Sequence, residues 1–400
     1  MTEALAGRPL DDPAQLGDAL DELLAASERP VLLALGEPTH GIAAFPLLRN
    51  EFLADLVDRG FRSVALESDF FTAAVVDSYV TGGAGELDDV LASGFSHGFG
   101  NVPGNRELVH WLRSHNDGRG PADQVRFYGF DAPLETAAAP SPRRFLRAVV
   151  DFLPGPLRPD SAGDTDLLLG DDADWSNPAA MYDPTASIGR SERARALRIV
   201  ADDLASALHR AAPGLSAADP VGYDDAVANA RTASGLLRYH AAMACAASDR
   251  IGALLSLRAE MMADNLLAIV TRERDRGPTL VFAHNVHLQR AASEMSFDTE
   301  AARWWSAGAL VARSLGGRYL VIVTDANPHS DPATLQGVVA AATTRRTMFP
   351  AATLRAALPS EIGPGAPILP GHIPVRPVDL AGADALVFIA DTDGRRVQYW

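Results

Sequence analysis

The chain reads VLLAL at residues 31–35 and continues directly into GEPTHG at residues 36–41. An apolar run this short is typical of a strand that is buried on both faces of a sheet. The glycines and the proline that follow it favour a turn over a helix. We therefore predict a buried strand that ends on two titratable side chains, Glu37 and His40.

Four later segments repeat this pattern of an apolar run that ends on an acid or a histidine. They are SVALE (63–67), VRFYGFD (125–131), TLVFAHNVH (279–287) and YLVIVTD (319–325). Open α/β sheets bind ligands outside the carboxyl ends of their strands, and parallel strands bring those ends to one edge. We therefore expect a group of titratable side chains to converge on one crevice: Glu37, His40, Glu67, Asp131, His284 and His287.

The predicted fold class is α/β, with a central, largely parallel sheet flanked by helices and a helical insertion. The insertion is indicated by consecutive helical patterns without a strand-like run, at about 191–212, 223–245 and 248–275. Strand patterns resume at 279 and 319, and a last strand is predicted at 385–390. The predicted organisation is a first core segment with the GEPTHG turn at 1–140, the insertion at 141–270 and a second core segment at 271–400.

Composition limits the chemistry and the partners. The formal charge of −16 argues against nucleic acid and anionic membranes as partners, because their binders usually carry a basic face. All 35 basic residues are arginine, which excludes catalysis through a lysine Schiff base or a P-loop lysine. No apolar run reaches the roughly 18 residues of a membrane span. We expect a cytoplasmic protein that needs no cofactor.

The GEPTHG turn and its neighbours suggest acid–base chemistry. Glu37 would orient the imidazole of His40, which would act as general base toward water or a hydroxyl. Glu67 follows a buried strand, so it either pairs with Arg49 or a histidine, or itself exchanges protons. Of His284 and His287, one would polarise an ester carbonyl or protonate a leaving group, and the other would be structural.

Other residues are predicted to contact the substrate. Arg49 lies beside the apolar stripe of a helix predicted at 44–59, where it either extends to solvent or reaches the crevice as a carboxylate clamp. Asp131 either joins the site or only caps a turn. Residues 94–98 read GFSHG, a formal nucleophile-elbow motif, but the residues before it look helical rather than strand-like. The predicted contribution of this loop is to line the pocket with Phe95, His97 and Phe99.

A metal site is the competing interpretation of the same cluster. Imidazoles and carboxylates of five residues would suit zinc: Glu37, His40, Glu67, His284 and His287. The chain has no H-E-x-x-H or H-x-H pattern among them, so the sequence favours a site without metal.

Several segments together resemble the erythromycin esterase family. They are LGEPTHG (35–41), GFRSVALES (60–68), NRELVHWLRSHN (105–116), VRFYGFDA (125–132), SLRAEMMADNLL (256–267), VFAHNVHL (281–288) and SAGALVARSLGGRYLVI (306–322). The resemblance implies an α/β core with helical additions and metal-independent ester hydrolysis. It implies that His40 is the general base, and that the other site residues are Glu37, Arg49, Glu67, His284 and His287.

Some neighbouring positions differ from the family. Ala44 replaces a common acid, Ala259 replaces the second residue of a common Arg-Asp pair, and Ala132 replaces a longer polar residue. We expect a working catalytic core with a substrate other than a macrolide.

These observations leave three hypotheses for the function. The leading one is hydrolysis of a small-molecule carboxylic ester or lactone, macrolide-like or another natural product, by water that a histidine base activates. The alternative is biosynthetic acyl transfer, transesterification or cyclisation, in which the same histidine base acts on a hydroxyl or an amine. The third is a binding protein that retains the fold without catalysis.

Overall fold

A computed structural model of the chain describes residues 7–134, 139–297 and 300–397. Its strands are β1 (Arg8–Pro9), β2 (Leu32–Glu37), β3 (Ser63–Asp69), β4 (Arg126–Asp131), β5 (Thr279–His284), β6 (Ala292–Phe297), β7 (Glu300–Trp305), β8 (Tyr319–Ala326), β9 (Arg346–Pro350) and β10 (Ala385–Ile389). No helix in the described ranges is both long and apolar enough to cross a membrane.

The helices precede, connect and follow these strands. They are α1 (Pro13–Ala25), α2 (Ala44–Asp58), α3 (Ala73–Val80), α4 (Leu87–Ser93), α5 (Asn105–Asn116), α6 (Arg143–Phe152), α7 (Thr165–Leu169), α8 (Asp172–Trp175), α9 (Glu192–Ala218), α10 (Pro220–Met243), α11 (Arg250–Glu273), α12 (Asn285–Leu288), α13 (Ala307–Leu315), α14 (Leu335–Ala340) and α15 (Ala351–Ala357).

An eight-stranded sheet forms the core, in the order β1-β9-β10-β8-β2-β5-β3-β4. The strands from β10 to β4 are parallel to their neighbours, whereas β9 and β1 add an antiparallel edge. The two remaining strands, β6 and β7, pair with each other. The predicted α/β class with a largely parallel sheet is confirmed.

Both faces of the sheet are buried, which explains why the strands contain short apolar runs. On one face, Leu33 and Leu35 of β2 pack in a cluster with Phe45 and Phe52 of α2. On the other face, Leu32 and Ala34 pack with residues of α11 and α13. The α2 stripe predicted from the sequence is therefore a core contact.

Contacts divide the chain into two units. Unit 1 comprises Met1–Asp131 and Met262–Trp400 and holds the sheet, and unit 2 comprises Ala132–Met261 and is helical. The domain boundaries at 140/141 and 270/271 remain predictions. The helix predicted to end at 212 continues through Pro213 to Ala218 as α9. The hydroxyl of Ser216 donates to the carbonyl of Ala212 at 2.7 Å, a local side-chain-to-backbone bond in the last turns of this helix.

The ends of three neighbouring strands are tied together beneath the GEPTHG turn. The amide of Asn285, after β5, donates to the carbonyl of Thr324 in β8 at 2.8 Å. The Thr324 hydroxyl in turn donates to the carbonyl of Gly36 in β2 at 2.7 Å. A Cβ on Gly36 would lie 2.2 Å from the Asn285 amide oxygen, so this position requires glycine.

Two segments late in the chain form backbone hydrogen bonds with the GEPTHG turn and the residues that follow it. The N–H of Val397 donates to the carbonyl of Gly41, and the N–H of Ala43 donates to the carbonyl of Arg395, each at 2.9 Å. The N–H of Ile373 donates to the carbonyl of Pro38 at 2.9 Å. The turn is therefore restrained by residues more than 300 positions away in the sequence.

A buried carboxylate–histidine pair anchors the loop that contains Ile373. Asp325, at the end of β8, accepts from Nε2 of His372 at 2.9 Å and from the N–H of Val375 at 3.0 Å. Nδ1 of His372 accepts from the N–H of Ile368 at 3.0 Å, so the imidazole is neutral with its proton on Nε2. Both side chains are almost inaccessible to solvent.

We expect His372→Ala to lower the free energy of unfolding by about 2–3 kcal/mol, because it leaves a buried carboxylate without its main side-chain donor. Urea denaturation measures the difference. His372→Gln should recover part of the loss, since its amide can still donate to Asp325. The exposed His329, two residues after Asn327, provides the control: His329→Ala should stay within about 0.5 kcal/mol of wild type. Equal stability of His372→Ala and His329→Ala would contradict an anchoring role for the pair.

Candidate active site

The carboxyl ends of β2, β5 and β3 lie side by side and carry most of the predicted site residues. Glu37 ends β2 and is the register partner of His284, which ends β5. Glu67 lies in β3, on the other side of β5. His40 and His287 follow β2 and β5 by three residues each and are also buried. The parallel topology thus brings these five residues together.

His40 and Glu37 form a direct pair within the GEPTHG turn. Nδ1 of His40 lies 2.8 Å from Oε1 of Glu37, and both side chains are less than one-tenth exposed. Oε2 of Glu37 is buried without a hydrogen-bond partner among the described residues. Burial raises the pKa of Glu37 above its ordinary value, and the nearby Glu67 carboxylate adds to this, while His40 opposes it.

Glu67 contacts both histidine positions at the end of β5, His284 and His287. Its Oε1 lies 3.2 Å from Nε2 of His287, and its Oε2 accepts from the backbone N–H of His284 at 2.9 Å. The same Oε2 lies 4.0 Å from Nε2 of His40. Of the partners predicted for Glu67, the structure provides a histidine rather than Arg49.

The imidazole of His284 makes both of its hydrogen bonds to backbone groups. Nε2 donates to the carbonyl of Pro38 at 2.9 Å, and Nδ1 accepts from the N–H of Val286 at 3.2 Å. The ring is therefore neutral with its proton on Nε2. Burial, reinforced by His40, lowers its pKa well below the ordinary value. His287 differs, because its Nδ1 is buried without a partner among the described residues.

Arg49 is fully buried and bonds to neutral groups. Its guanidinium donates to the side chains of Asn105 and Asn50 at 2.8 and 2.7 Å, and to the carbonyl of Gly104 at 3.1 Å. It also lies over the ring of Phe282, 4.9 Å from the centroid. Within the described ranges no carboxylate is in ion-pair contact with Arg49, so it does not clamp a protein carboxylate.

The charge of Arg49 nevertheless acts on the site through space. Burial lowers the pKa of Arg49 to about 9, and the negative charge of Glu37 opposes this decrease. Arg49 in turn favours the ionised form of Glu37. The guanidinium thus offsets part of the cost of burying the carboxylate next to His40.

The loop after α4 contributes to the site unevenly. Phe99 packs against His40, with ring centroids 4.9 Å apart, and His97 packs behind Phe99 at 5.6 Å. Nε2 of His97 lies 3.0 Å from Oδ2 of the fully buried Asp131. Phe95 instead packs on Phe127 in the core, with centroids 5.5 Å apart. Of the residues predicted to contact the substrate, the structure places Arg49 and Phe99 in the wall of the cavity beside His40.

The GFSHG segment is not a nucleophile elbow. It follows helix α4 rather than a strand. The hydroxyl of Ser96 accepts from the N–H of Asp69 at 2.8 Å, and the N–H of Ser96 donates to the Ser68 hydroxyl at 2.9 Å. These bonds fasten the loop to the end of β3, which is a structural role.

A small cavity of about 20 Å³, enough for about one water molecule, adjoins His40 and the two carboxylates. Its wall combines polar and aromatic side chains, among them Glu37, His40, Arg49, Glu67, Phe99 and Phe282. No set of three or more His, Cys, Asp or Glu side chains in the described ranges is placed to hold a metal ion. The carboxylates here pair with imidazoles, which suits proton transfer.

Sequence reasoning missed the residues that hold the turn. His372 lies in a Pro/Gly-rich loop without periodicity, and nothing local connects it with Asp325. Asn285 and Thr324 are neighbours of predicted strand ends, so their proximity follows only from the β2–β5 and β2–β8 pairings. The strand order would have been the signal needed to find them.

Solved structures with the same fold support a common architecture. A Bacillus cereus protein shares 17% identity and a TM-score of 0.69, covering 96% of this chain and 94% of that chain. A succinoglycan biosynthesis protein shares 15% identity and a TM-score of 0.67, with coverages of 97% and 95%. A mutant of the erythromycin esterase EreC in its open conformation shares 16% identity and a TM-score of 0.67, with coverages of 94% and 94%.

Sequence comparison identifies the family. No curated protein sequence matches the chain. Residues 56–359 match the family described as erythromycin esterase, a range that includes Glu67, Asp131, His284 and His287 and begins after the GEPTHG turn. The resemblance drawn from the sequence motifs is thereby confirmed, and it indicates an ester hydrolase that acts on a small molecule. The chain belongs to the erythromycin esterase family.

Proposed function

We propose that this ester hydrolase cleaves a carboxylic ester or lactone without a metal ion, using water activated by His40. The observation that carries the proposal is the pairing of His40 Nδ1 with Glu37 at 2.8 Å. A proton held on Nδ1 by the carboxylate leaves Nε2 as the proton acceptor. The residue pairing therefore supplies an oriented general base at the cavity wall.

The position of Glu67 supports a bound water at this base. Nε2 of His40 and Oε2 of Glu67 are 4.0 Å apart, a gap that one water can bridge with hydrogen bonds of about 2.8 Å to each. His40 takes one proton from that water, and the oxygen attacks the acyl carbon. When the tetrahedral intermediate collapses, the C–O bond to the leaving group breaks and His40 returns the proton to the alkoxide.

The two histidines at the end of β5, His284 and His287, have different proposed roles. His284 bonds to the backbone through both nitrogens and so acts as a positioning residue, whose N–H also holds Glu67. His287 contacts Glu67 through Nε2 and keeps Nδ1 without a partner among the described residues. We therefore assign to His287 the stabilisation of the developing oxyanion or of the leaving group, because its Nδ1 is the ring nitrogen left for a further contact.

His40→Ala should lower kcat/KM by about 10²–10⁴-fold, because the general base is lost. The assay is mass spectrometry of simple lactones, aryl esters and macrolides after incubation with EDTA-treated protein. Wild type should yield products that have gained one water. His110→Ala, a change to an exposed histidine on α5, should retain activity, and circular dichroism should show that both variants fold.

Each other outcome of this assay favours a different function. Loss of activity with EDTA that zinc restores would refute metal independence. Products that gain no water, formed with an added alcohol or amine, would favour acyl transfer or cyclisation over hydrolysis. Thermal stabilisation by a ligand without any product would favour a binding protein.

Glu37→Gln should lower activity by about 10²-fold or more while raising stability near neutral pH. Gln still accepts from Nδ1 of His40, but the charge that stabilises the protonated imidazole is gone. The pKa of Glu37 is higher in the folded state than in the unfolded state. The folded protein is therefore most stable, with respect to this group, below the ordinary carboxyl pKa, and it loses that stability as pH rises through the folded-state pKa. Replacing the carboxyl with an amide should therefore increase the free energy of unfolding more at about pH 7 than at low pH.

Calorimetry at about pH 7 and about pH 4 tests this prediction. The excess melting temperature of Glu37→Gln over wild type should shrink at the lower pH, where both proteins carry a neutral group at this position. Glu361→Gln, on an exposed loop, is the matched control and should show no such difference. A Glu37→Gln variant that is less stable than wild type at neutral pH would contradict the proposed cost of the buried carboxylate.

A further inference from the structure

Unit 2 contains an open cavity of about 440 Å³ with a concentration of arginines. It lies between the first turns of α9, the end of α10 and the start of α11. The charged side chains in its wall are Arg190, Arg195, Arg198, Arg250 and Asp249. Four arginines against one aspartate give a surplus of three positive charges, in a chain whose formal charge is −16. All lining residues belong to unit 2, so this cavity is built independently of the residues proposed for ester hydrolysis.

Two of these arginines have no ion-pair partner among the described residues, whereas several other arginines of unit 2 contact carboxylates. Elsewhere in unit 2, Arg143 and Arg193 contact aspartates and Arg238 contacts Glu260. Within the part of the chain that the structure describes, Arg195 and Arg198 make no ion pair or side-chain hydrogen bond. These two are three residues apart on one face of α9, so both guanidinium groups can reach the same ligand.

The remaining basic residues frame the cavity. Arg190 lies with Nη2 at 3.4 Å from Sγ of Cys245, a weak acceptor. Arg250 donates to the carbonyls of Met243, Met181 and Ala180 at 3.0, 2.6 and 2.5 Å. The bond to Met243 satisfies a carbonyl at the end of α10, where the helix dipole would otherwise repel an anion. Arg250 is therefore committed to the wall, and Arg190, Arg195 and Arg198 face the open volume.

The rest of the wall is made of small apolar side chains. Ala241 and Ala242 come from the last turn of α10, Ala247 from the connection and Ala253 from the first turn of α11. A cavity of this size is in the range of small-molecule sites, which combine an apolar surface with a few placed polar groups. Guanidinium forks are suited to oxyanions, because they can donate two parallel hydrogen bonds to a phosphate or a carboxylate.

We propose that this cavity binds a small molecule that carries an oxyanion, phosphate or carboxylate, on an apolar body. Arg195 and Arg198 hold the oxyanion with help from Arg190, and the alanines contact the apolar part. Asp249 is the one acid in the wall, and it disfavours ligands with several negative charges spread over their length.

Isothermal titration calorimetry of the full chain with three matched probes tests the proposal. The probes are 1-naphthyl phosphate, 1-naphthoate and the neutral 1-naphthylmethanol. At least one of the two anions should bind saturably with a Kd of about 1 mM or lower, and the neutral probe should bind at least tenfold more weakly. Which anion binds identifies the oxyanion.

Variants assign the binding to the cavity. The double change Arg195→Gln with Arg198→Gln should weaken binding of that anion by about tenfold or more, since two charge-assisted contacts are lost. Arg210→Gln is the control on the same helix, because Arg210 is exposed and outside the cavity wall. Circular dichroism of all variants shows that α9 still folds.

Several results would overturn the proposal. They are equal binding of the neutral probe, an Arg210→Gln effect as large as that of the double variant, and no saturable binding of either anion. Ester hydrolysis by the double variant is a separate measurement, and we expect the double variant to hydrolyse esters as wild type does while it loses anion binding. Failure of the anion-site proposal can therefore be told apart from failure of the proposed catalytic function.

Discussion

The carbonyl of Pro38 is the acceptor on which the candidate active site depends. It receives Nε2–H of His284 from the end of β5 and the N–H of Ile373 from the C-terminal loop, each at 2.9 Å. Proline at this position has no N–H of its own, so its carbonyl is the only backbone group that it can use for hydrogen bonds.

One consequence of this contact extends across the site. Because Nε2 of His284 donates to Pro38, its Nδ1 must accept, and it does so from Val286. That arrangement fixes the backbone at His284 so that its N–H reaches Glu67. Glu67 is then oriented toward both His287 and His40. The orientation of Glu67 toward the proposed general base, His40, is thus linked to one backbone carbonyl.

The site concentrates charge that the fold would be more stable without. Glu37, Arg49 and Glu67 are each less than one-twentieth exposed and share one small cavity. Arg49 bonds to amides and a carbonyl rather than to a carboxylate, so the cavity retains a negative field around His40. In the proposed mechanism, a negative field favours the imidazolium that forms when His40 accepts a proton. On that mechanism, the stability lost by burying these charges is the cost of the acid–base function.

The sequence predicts the sheet better than it predicts the contacts at its edge. Apolar strands such as 32–35 and 280–282 are recognisable because both faces of the sheet are covered, and their polar ends follow from the same pattern. Parallel pairing then brings Glu37, Glu67 and His284 together, as expected from topology alone. Most of the candidate site could therefore be predicted from the types of the residues at the strand ends.

Contacts that depend on the path of a loop are beyond such patterns. Phe95 and Phe99 are four residues apart in one loop, yet one packs in the core and the other against His40. His372 and Asp325 are 47 residues apart and meet only because the Pro/Gly-rich loop returns to the end of β8. Local propensity contains no information on either outcome, since both depend on which backbone donors remain to be satisfied after folding.

The arginine-lined cavity of unit 2 would have to bind an anion in a chain whose overall charge is negative. At a net charge of −16 the long-range field repels anions, and at physiological ionic strength it is screened within about 8 Å. Recognition of an anion must therefore come from short-range, directional contacts. Arginine is suited to this role because its planar group aligns two donors with two oxygens, whereas a lysine ammonium acts as a point charge. In a chain whose basic residues are all arginine, what distinguishes a binding site from a structural ion pair is the absence of a carboxylate partner, as at Arg195 and Arg198 within the described residues.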